Sequence, residues 1–311
     1  MTTRLKHTSD HVGVVAGQQP GPADQSTQGS TGSDALVTDL HIVGDDIFAV
    51  TAQWSGQHGF YGRTGDGTHD PLLFAETVRQ AALAIARRAF DAPLSDGYLP
   101  YQVSWEINAD GLRATPEPVD LILTASAHDI HRKDGRVDRM RLEFDCYRDG
   151  YRVGFATQGW SAMTPSSYRA ARGDNFGAEP YQATLLPAVE ADLVGRERQE
   201  DVVIAETPMY DIWSLQCAVD HPVLVEQPAD HVPSTVILES ARQVALRMVD
   251  EPGALPVRVE FAFIRCVEFD DSCLIVANED PPFDEDLRAV SMTFEQNGLV
   301  AATATVAVLL P

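Results

Sequence analysis

The chain contains an ordered internal repeat with a constant offset. Four polar residues of its first half recur 163 positions later in its second half. The matched pairs are His58 with His221, Glu76 with Glu239, Arg79 with Arg242, and Gln80 with Gln243. The flanking sequences of the two halves are also similar and follow in the same order; DIFAV at 46–50, for example, corresponds to DIWSL at 211–215. The sequence therefore predicts a tandem duplication of a unit of roughly 110–130 residues.

Each unit shows the same order of elements: a short strand, a loop that contains His, an apolar helix and several further strands. The helix of the first unit is predicted to begin near Asp70-Pro71, a capping residue followed by proline at the first helical position. Its body is apolar nearly all round, which is typical of a buried helix. Asp-Gly at 149–150 and Asn-Gly at 297–298 are hairpin turn signals at equivalent places in the two copies.

A buried helix wrapped by an antiparallel sheet, present twice, predicts a tandem double hotdog of the α+β class. We expect four regions. They are a disordered tail at 1–35 rich in Gly, Gln, Ser, Thr and Pro, unit one at 36–163, a connector at 164–197 and unit two at 198–311. Because a duplication supplies the pairing that single hotdogs obtain by dimerising, the chain is expected to be a monomeric double hotdog or a homodimer.

Composition excludes several classes of function. The chain has 46 acidic and 23 basic side chains, a net charge of −23, which repels nucleic acid and anionic membrane surfaces. Its four cysteines lie far apart and form no Cys/His cluster, so neither a disulfide framework nor a metal site is expected. No nucleotide-binding motif is present, and we expect no cofactor. The first residues, 1–17, have no continuous apolar core and are not expected to be a signal peptide, so we expect a cytoplasmic location.

The Glu, Arg and Gln of each predicted helix are spaced i, i+3 and i+4, which places them on one face. Three polar groups on a buried helix must find partners, because an unpaired buried charge costs several kcal/mol. Two interpretations stay open. In one, the pairs Glu76–Arg79 and Glu239–Arg242 neutralise each other at the interface of the units. In the other, the stripe lines a pocket where Glu acts on protons and Arg holds an anion.

Histidines before the helices offer candidate bases. For His58 and His221 a hydrogen bond within a loop turn is the favoured interpretation. For His231, in the string Asp230-His231-Val232-Pro233, a turn role and a general-base role are equally favoured. A basic cluster over 132–141 predicts either a solvated hairpin or a docking patch for an acidic acyl carrier.

Two strings resemble the paired signatures of the A-factor biosynthesis hotdog family: HDPLLFAETVRQAALAIA at 69–86 and HPVLVEQPADHVPSTVILESARQVAL at 221–246. The resemblance implies a cytoplasmic acyltransferase of signalling-molecule biosynthesis (γ-butyrolactone, butenolide or furan). Such an enzyme transfers a β-ketoacyl chain from acyl carrier protein to a hydroxyl of dihydroxyacetone phosphate. Two departures from the family pattern stand out. Gln227 lies where a histidine is usual, and Ser234-Thr235 replaces Gly-Met.

These observations define the candidate site. The candidate catalytic residues are Glu239, as base or orienter, with His231 and Glu76. The candidate substrate-binding residues are Arg242, Arg79, Gln243, Gln80, Ser234, His221 and Asp230. Arg242 or Arg79 is expected to hold the phosphate, and the helix start near Ser234 to donate backbone N–H groups to the thioester carbonyl.

The active pocket is expected in unit two, completed by unit one. Two other functions remain open: a hotdog thioesterase or dehydratase acting on acyl thioesters, and a non-catalytic acyl-binding regulatory homologue. The same carboxylate geometry could act on water instead of an alcohol. Loss of a histidine at Gln227 favours the non-catalytic alternative.

Overall fold

A computed structural model describes residues 35–55, 58–62, 64, 67–178, 186–216, 218–225, 229–282 and 286–311. Two of the sequence-based predictions lie outside the described residues: the disordered tail, except Ala35, and the departure at Gln227.

The described residues of unit one form six strands and two helices. The strands are β1 (Val37–Gly44), β2 (Ile47–Trp54), β3 (Gly97–Ile107), β4 (Val119–Lys133), β5 (Arg136–Arg148) and β6 (Tyr151–Met163). The helices are α1 (Leu72–Ala89) and the single turn α2 (Ala109–Leu112), and helix α3 (Pro165–Arg172) follows in the connector.

Unit two repeats this order. Its strands are β7 (Ile204–Glu206), β8 (Ile212–Leu215), β9 (Leu255–Phe263), β10 (Cys273–Glu279), β11 (Leu287–Gln296) and β12 (Leu299–Leu309). Its helix α4 (Ser234–Val249) lies between β8 and β9, as α1 lies between β2 and β3.

All twelve strands form one antiparallel sheet in the order β1-β2-β4-β5-β6-β3-β9-β12-β11-β10-β8-β7. The order is symmetric about its centre, where β3 pairs with β9 and Trp105 lies opposite Val259. Counted outward from the centre, each strand of unit one thus occupies the same position as the equivalent strand of unit two on the other side. This symmetry, with one long helix per half, confirms the tandem double hotdog.

Helix α1 is buried, as its apolar sequence predicts. Eleven of its eighteen residues are buried, and the Trp54 indole of β2 donates to the Thr77 hydroxyl at 2.8 Å. Asp70 caps the helix start, because its Oδ1 accepts the Leu72 N–H at 2.8 Å. The predicted hairpin turns are also confirmed: Asp149-Gly150 and Asn297-Gly298 all have positive φ, the conformation that a tight two-residue hairpin requires.

Candidate active site

The first histidine of each unit closes its own loop. Nδ1 of His58 accepts the Phe60 and Tyr61 N–H groups at 3.2 and 3.0 Å. Nδ1 of His221 accepts the two equivalent N–H groups, of Val223 and Leu224, at the same 3.2 and 3.0 Å. A ring nitrogen that accepts two backbone donors is the central group of a turn. His221 Nε2 also lies 3.1 Å from Asp201, so both of its ring nitrogens are engaged.

The polar stripe has the same internal geometry on both helices. Arg79 donates two hydrogen bonds to Glu76 at 2.7 and 2.8 Å, and Gln80 adds a third at 2.9 Å. Arg242 and Gln243 bind Glu239 in the same way, with hydrogen bonds of 2.9, 2.7 and 2.5 Å. The glutamine also fixes the chain that passes the helix. The Gln80 side-chain oxygen accepts the Leu36 N–H at 2.8 Å, and that of Gln243 accepts the Val203 N–H at 2.9 Å.

A second arginine makes the two stripes different. Arg196, from the connector, donates to both oxygens of Glu239 at 2.8 and 2.6 Å and to Asp70 of unit one at 2.6 Å. Glu239 has no exposed surface, and Arg196 and Arg242 are both buried. Burial alone would raise the pKa of Glu239, but the charges of Arg196 and Arg242 lower it to about 2. The Glu239 stripe is therefore a closed ion cluster that holds the two units together.

The Glu76 stripe, by contrast, faces a cavity of about 1360 Å³. The cavity is bounded by α1, the start of α4, strands β3 and β6, and connector residues on and after α3. Much of the wall is apolar, and includes Leu72, Leu83, Val103, Met163 and Leu238. A space of this size accommodates a drug-sized or acyl ligand.

The predicted site residues divide into two groups. Those that line the cavity are Glu76, Arg79, Asp230, His231 and Ser234. Those outside its wall are Gln80, His221, Glu239, Arg242 and Gln243. The cavity is thus built mainly on the helix of unit one and on the loop that precedes the helix of unit two.

Asp230 and His231 form a dyad at the cavity wall. His231 Nδ1 lies 2.7 Å from Asp230 Oδ1, and its Nε2 makes no hydrogen bond with any described residue. A carboxylate on Nδ1 fixes the imidazole with its proton on that nitrogen, which leaves Nε2 as a proton acceptor. The side chain of His231 is 22% exposed and lines the cavity, so a molecule in the cavity can reach it.

Helix α3 of the connector holds the dyad in place. The Tyr168 hydroxyl donates to Asp230 Oδ1 at 2.6 Å, and Arg172 donates to Asp230 Oδ2 at 3.3 Å and to its carbonyl oxygen at 2.7 Å. Arg172 is itself held by Glu268 at 2.6 and 2.7 Å. Partial burial acts to raise the pKa of Asp230, but hydrogen bonds from Tyr168 and His231 and the charge of Arg172 lower it to about 2. Asp230 is therefore ionised at every pH near neutrality.

The start of α4 presents unused backbone donors at the same cavity. Ser234 and Thr235 are its first two residues, both line the cavity, and their N–H groups make no hydrogen bond with a described residue. The repeat explains this difference from α1. Pro233 occupies the position equivalent to Asp70 and has no side-chain acceptor to cap the helix. An anion or a polarised carbonyl can take the vacant place of that cap.

Two arginines differ in how much of their charge is already neutralised. Arg79 is paired with Glu76, and its side chain is 28% exposed. Arg265 also lines the cavity and is exposed, and its guanidinium has no partner among the described residues. The chain at Arg265 runs next to the dyad. Val267, two residues after Arg265, accepts a hydrogen bond at 2.8 Å through its carbonyl oxygen from the N–H of Val232, the residue that follows His231.

Sequence reasoning missed the connector's contribution. Tyr168, Arg172 and Arg196 all lie in or beside the segment treated as a simple linker, and the sequence gives no repeat partner to reveal them. Only the spatial arrangement shows that this segment supports the dyad and closes the other stripe.

Within the described ranges there is no group of three His, Cys, Asp or Glu side chains that could hold a metal ion. Among the same residues no helix combines the length and the apolar character that crossing a bilayer requires.

Comparison with known proteins gives consistent matches. A sequence model of a family, described as the A-factor biosynthesis hotdog domain, matches residues 30–164 and again 178–310. A "2-oxo-3-(phosphooxy)propyl 3-oxoalkanoate synthase" of Streptomyces griseus is 33% identical over 268 residues, which cover 85% of this chain and 88% of that protein. A protein of the same name from Streptomyces virginiae is 31% identical over 265 residues, with coverage of 85% and 90%.

Among solved structures, the 12:0-ACP thioesterase from Umbellularia californica superposes with a TM-score of 0.52 at 11% identity. The match covers 86% of this chain and 98% of that one. At this identity the similarity concerns the fold alone.

Proposed function

The chain belongs to the A-factor biosynthesis hotdog family, and on that premise we propose that it is an acyltransferase that makes a 2-oxo-3-(phosphooxy)propyl 3-oxoalkanoate. The donor is a 3-oxoacyl thioester on an acyl carrier protein, and the acceptor is dihydroxyacetone phosphate. One observation supports this function most directly: an Asp–His dyad, free helix N–H groups and an unpaired arginine all line one large, partly apolar cavity.

His231 is the proposed general base. Its Nε2 takes the proton of the acceptor hydroxyl as the oxygen attacks the thioester carbonyl carbon, and Asp230 stabilises the imidazolium that forms. When the tetrahedral intermediate collapses, the C–S bond breaks and the carrier thiolate recovers a proton from His231. The balance is one ester and one free thiol for each thioester and acceptor consumed.

The N–H groups of Ser234 and Thr235 are the proposed oxyanion donors. Negative charge develops on the thioester oxygen in the transition state, and the positive end of α4 stabilises it there. Because no side chain caps this helix, the site needs no rearrangement to accept the oxyanion.

Arg265 is the proposed phosphate ligand. Its guanidinium has no partner among the described residues, so phosphate does not compete with an existing ion pair there. Arg79 holds Glu76 at a fixed position. Both oxygens of Glu76 already accept hydrogen bonds from Arg79 or Gln80, which fix the carboxylate in place, so Glu76 is proposed to orient the acceptor through a hydrogen bond from its hydroxyl.

The β4–β5 hairpin is the proposed docking place of the carrier. It flanks the cavity: Arg136 pairs with Asp96, and the Arg139 guanidinium lies 4.1 Å from the Tyr101 ring, and both of those partners line the cavity. Arg132 and Lys133 on the same hairpin are exposed and have no partner among the described residues. An acidic carrier would meet a local positive surface there, on a protein whose overall charge is −23.

The test supplies purified protein with a 3-oxoacyl carrier thioester and dihydroxyacetone phosphate. The expected result is the phosphorylated ester, identified by mass spectrometry, in a 1:1 ratio to released thiol. Release of thiol with free 3-oxo acid and no ester would instead indicate a thioesterase.

A further inference from the structure

Strands β6 and β12 are equivalent strands of the two units, and they differ at two inward positions. Each follows its hairpin turn directly, and from Tyr151 and Leu299 onward their patterns of buried and exposed residues are nearly identical. Where β12 has Val306 and Val308, both fully packed in the core, β6 has Gln158 and Trp160. At two equivalent positions, unit one therefore has side chains that can form hydrogen bonds, and unit two has valines.

Both polar side chains are buried, and both line the cavity. Gln158 is 7% exposed and Trp160 is 4% exposed. Residues two apart on a strand point to the same side of the sheet, so the amide and the indole belong to one patch of the wall. Strand β3 brings Val103 opposite Gln158, and Val103 also lines the cavity, so an apolar side chain lies directly beside the polar pair.

Neither group has a hydrogen-bond partner among the described residues. The Trp160 Nε1–H is buried without an acceptor. The Gln158 amide makes no hydrogen bond to another described side chain or backbone group, and it keeps access to the cavity. A buried polar group without a partner costs about 1–3 kcal/mol, and the Trp160 indole is such a group. The Gln158 amide is not among the fully buried unpaired atoms, so beside the indole it is free to bind a polar ligand atom from the cavity.

An unpaired indole alone would not point to a ligand. The Nε1 atoms of Trp105 and Trp213 are also buried without a partner, and neither residue lines the cavity. What distinguishes Trp160 is its position on the cavity wall beside a second unpaired group. Trp105 consequently serves as a matched control.

We propose that Gln158 and Trp160 form a subsite that binds a ketone oxygen, the 3-oxo group of the acyl chain. The inference rests on the proposed function, in which that chain is the donor. Both groups can donate a neutral N–H, which suits a neutral carbonyl oxygen and gives no charge to hold a phosphate. The acceptor also contains a ketone, but the surrounding apolar wall fits an alkyl chain better than a phosphorylated three-carbon sugar.

The experiment compares 3-oxoacyl donors with saturated acyl donors of equal length as N-acetylcysteamine thioesters. Ester formation and equilibrium binding are both measured. The wild-type protein is expected to prefer the 3-oxoacyl donor by about 100-fold, since each hydrogen bond contributes about tenfold. Gln158→Leu and Trp160→Phe are each expected to reduce kcat/KM and affinity for the 3-oxoacyl donor by about tenfold. Neither substitution should reduce those values for the saturated donor.

Trp105→Phe is the control and should leave the preference between the two donors unchanged. Equal losses for both donors in the Gln158 and Trp160 variants would overturn the subsite, as would a wild-type protein that does not discriminate. Glycerol 3-phosphate, which lacks the acceptor's ketone, tests the other assignment. If the two substitutions reduce kcat/KM with dihydroxyacetone phosphate but not with glycerol 3-phosphate, the pair binds the acceptor's ketone and the proposal is overturned. If no donor gives an ester, the proposed function is contradicted. The equilibrium binding of the two donors would then still show whether Gln158 and Trp160 bind the 3-oxo group.

Discussion

The buried Arg196 guanidinium donates two hydrogen bonds, at 2.8 and 2.6 Å, to the Glu239 carboxylate, which has no exposed surface. The same guanidinium reaches Asp70 of unit one at 2.6 Å. A residue of the connector thus converts one copy of the duplicated polar stripe into an internal clamp. The other copy, at Glu76, stays open to the cavity.

Glu239→Gln should therefore destabilise the fold. Removing one charge leaves Arg196 and Arg242 buried beside a neutral group, at an expected cost of about 3–5 kcal/mol in the free energy of unfolding. Glu76→Gln should cost less, because the Glu76–Arg79 pair is partly exposed. Denaturant unfolding measures both. A Glu239→Gln variant with wild-type stability would contradict the clamp.

The same clamp predicts the stability of the protein in acid. The pKa of Glu239 is lowered from an ordinary 4.5 to about 2, so its ionised form is favoured in the folded state. Its contribution is fully present above about pH 4.5 and is lost as the pH falls toward about 2. The difference in unfolding free energy between wild type and Glu239→Gln should accordingly shrink over that interval. A difference that is constant from pH 5 to pH 2 would contradict the account.

Asp230→Asn tests the dyad. The amide cannot stabilise a positively charged imidazole, so kcat is expected to fall about 10²–10⁴-fold. Tyr168→Phe removes one of the hydrogen bonds that position Asp230, and a smaller fall in kcat is expected with little change in KM. Steady-state kinetics with thermal unfolding as a folding control measure both variants. Equal activity of Asp230→Asn and wild type would remove the carboxylate from the mechanism.

Arg265→Ala tests the phosphate ligand. KM for dihydroxyacetone phosphate is expected to rise about 10–100-fold, because a charge-assisted contact worth roughly 1.5–3 kcal/mol is lost. KM for the acyl donor should not change. Arg132→Ala is a matched control for the acceptor alone: Arg132 is also exposed and unpaired but lies outside the cavity wall, so KM for dihydroxyacetone phosphate should not change. Equal rises in KM for donor and acceptor would argue against a phosphate role for Arg265.

Much of the fold follows from the repeat. The constant offset, the apolar helices and the two hairpin signals require only local patterns, and the symmetric sheet confirms them. The repeat also located the polar stripe on both helices. It left open whether the stripe is structural or lines a pocket, because duplication preserves both kinds of residue.

The structure resolves that question differently for each copy, through contacts far apart in sequence. Arg196 lies 126 residues from its partner Asp70, and Tyr168 lies 62 residues from Asp230. Neither pair belongs to the repeat, so no pattern in the sequence could associate them. The difference between Gln158 and Val306 is visible in the sequence, but its meaning depends on which of the two strands faces a cavity.

The most direct test of the account is the rate of ester formation by His231→Asn. The proposed chemistry takes place in the cavity that His231 lines, with His231 Nε2 as the proton acceptor. The variant should fold with wild-type stability and form the phosphorylated ester at least about 100-fold more slowly. Ester formation at the wild-type rate by a correctly folded His231→Asn protein would contradict it.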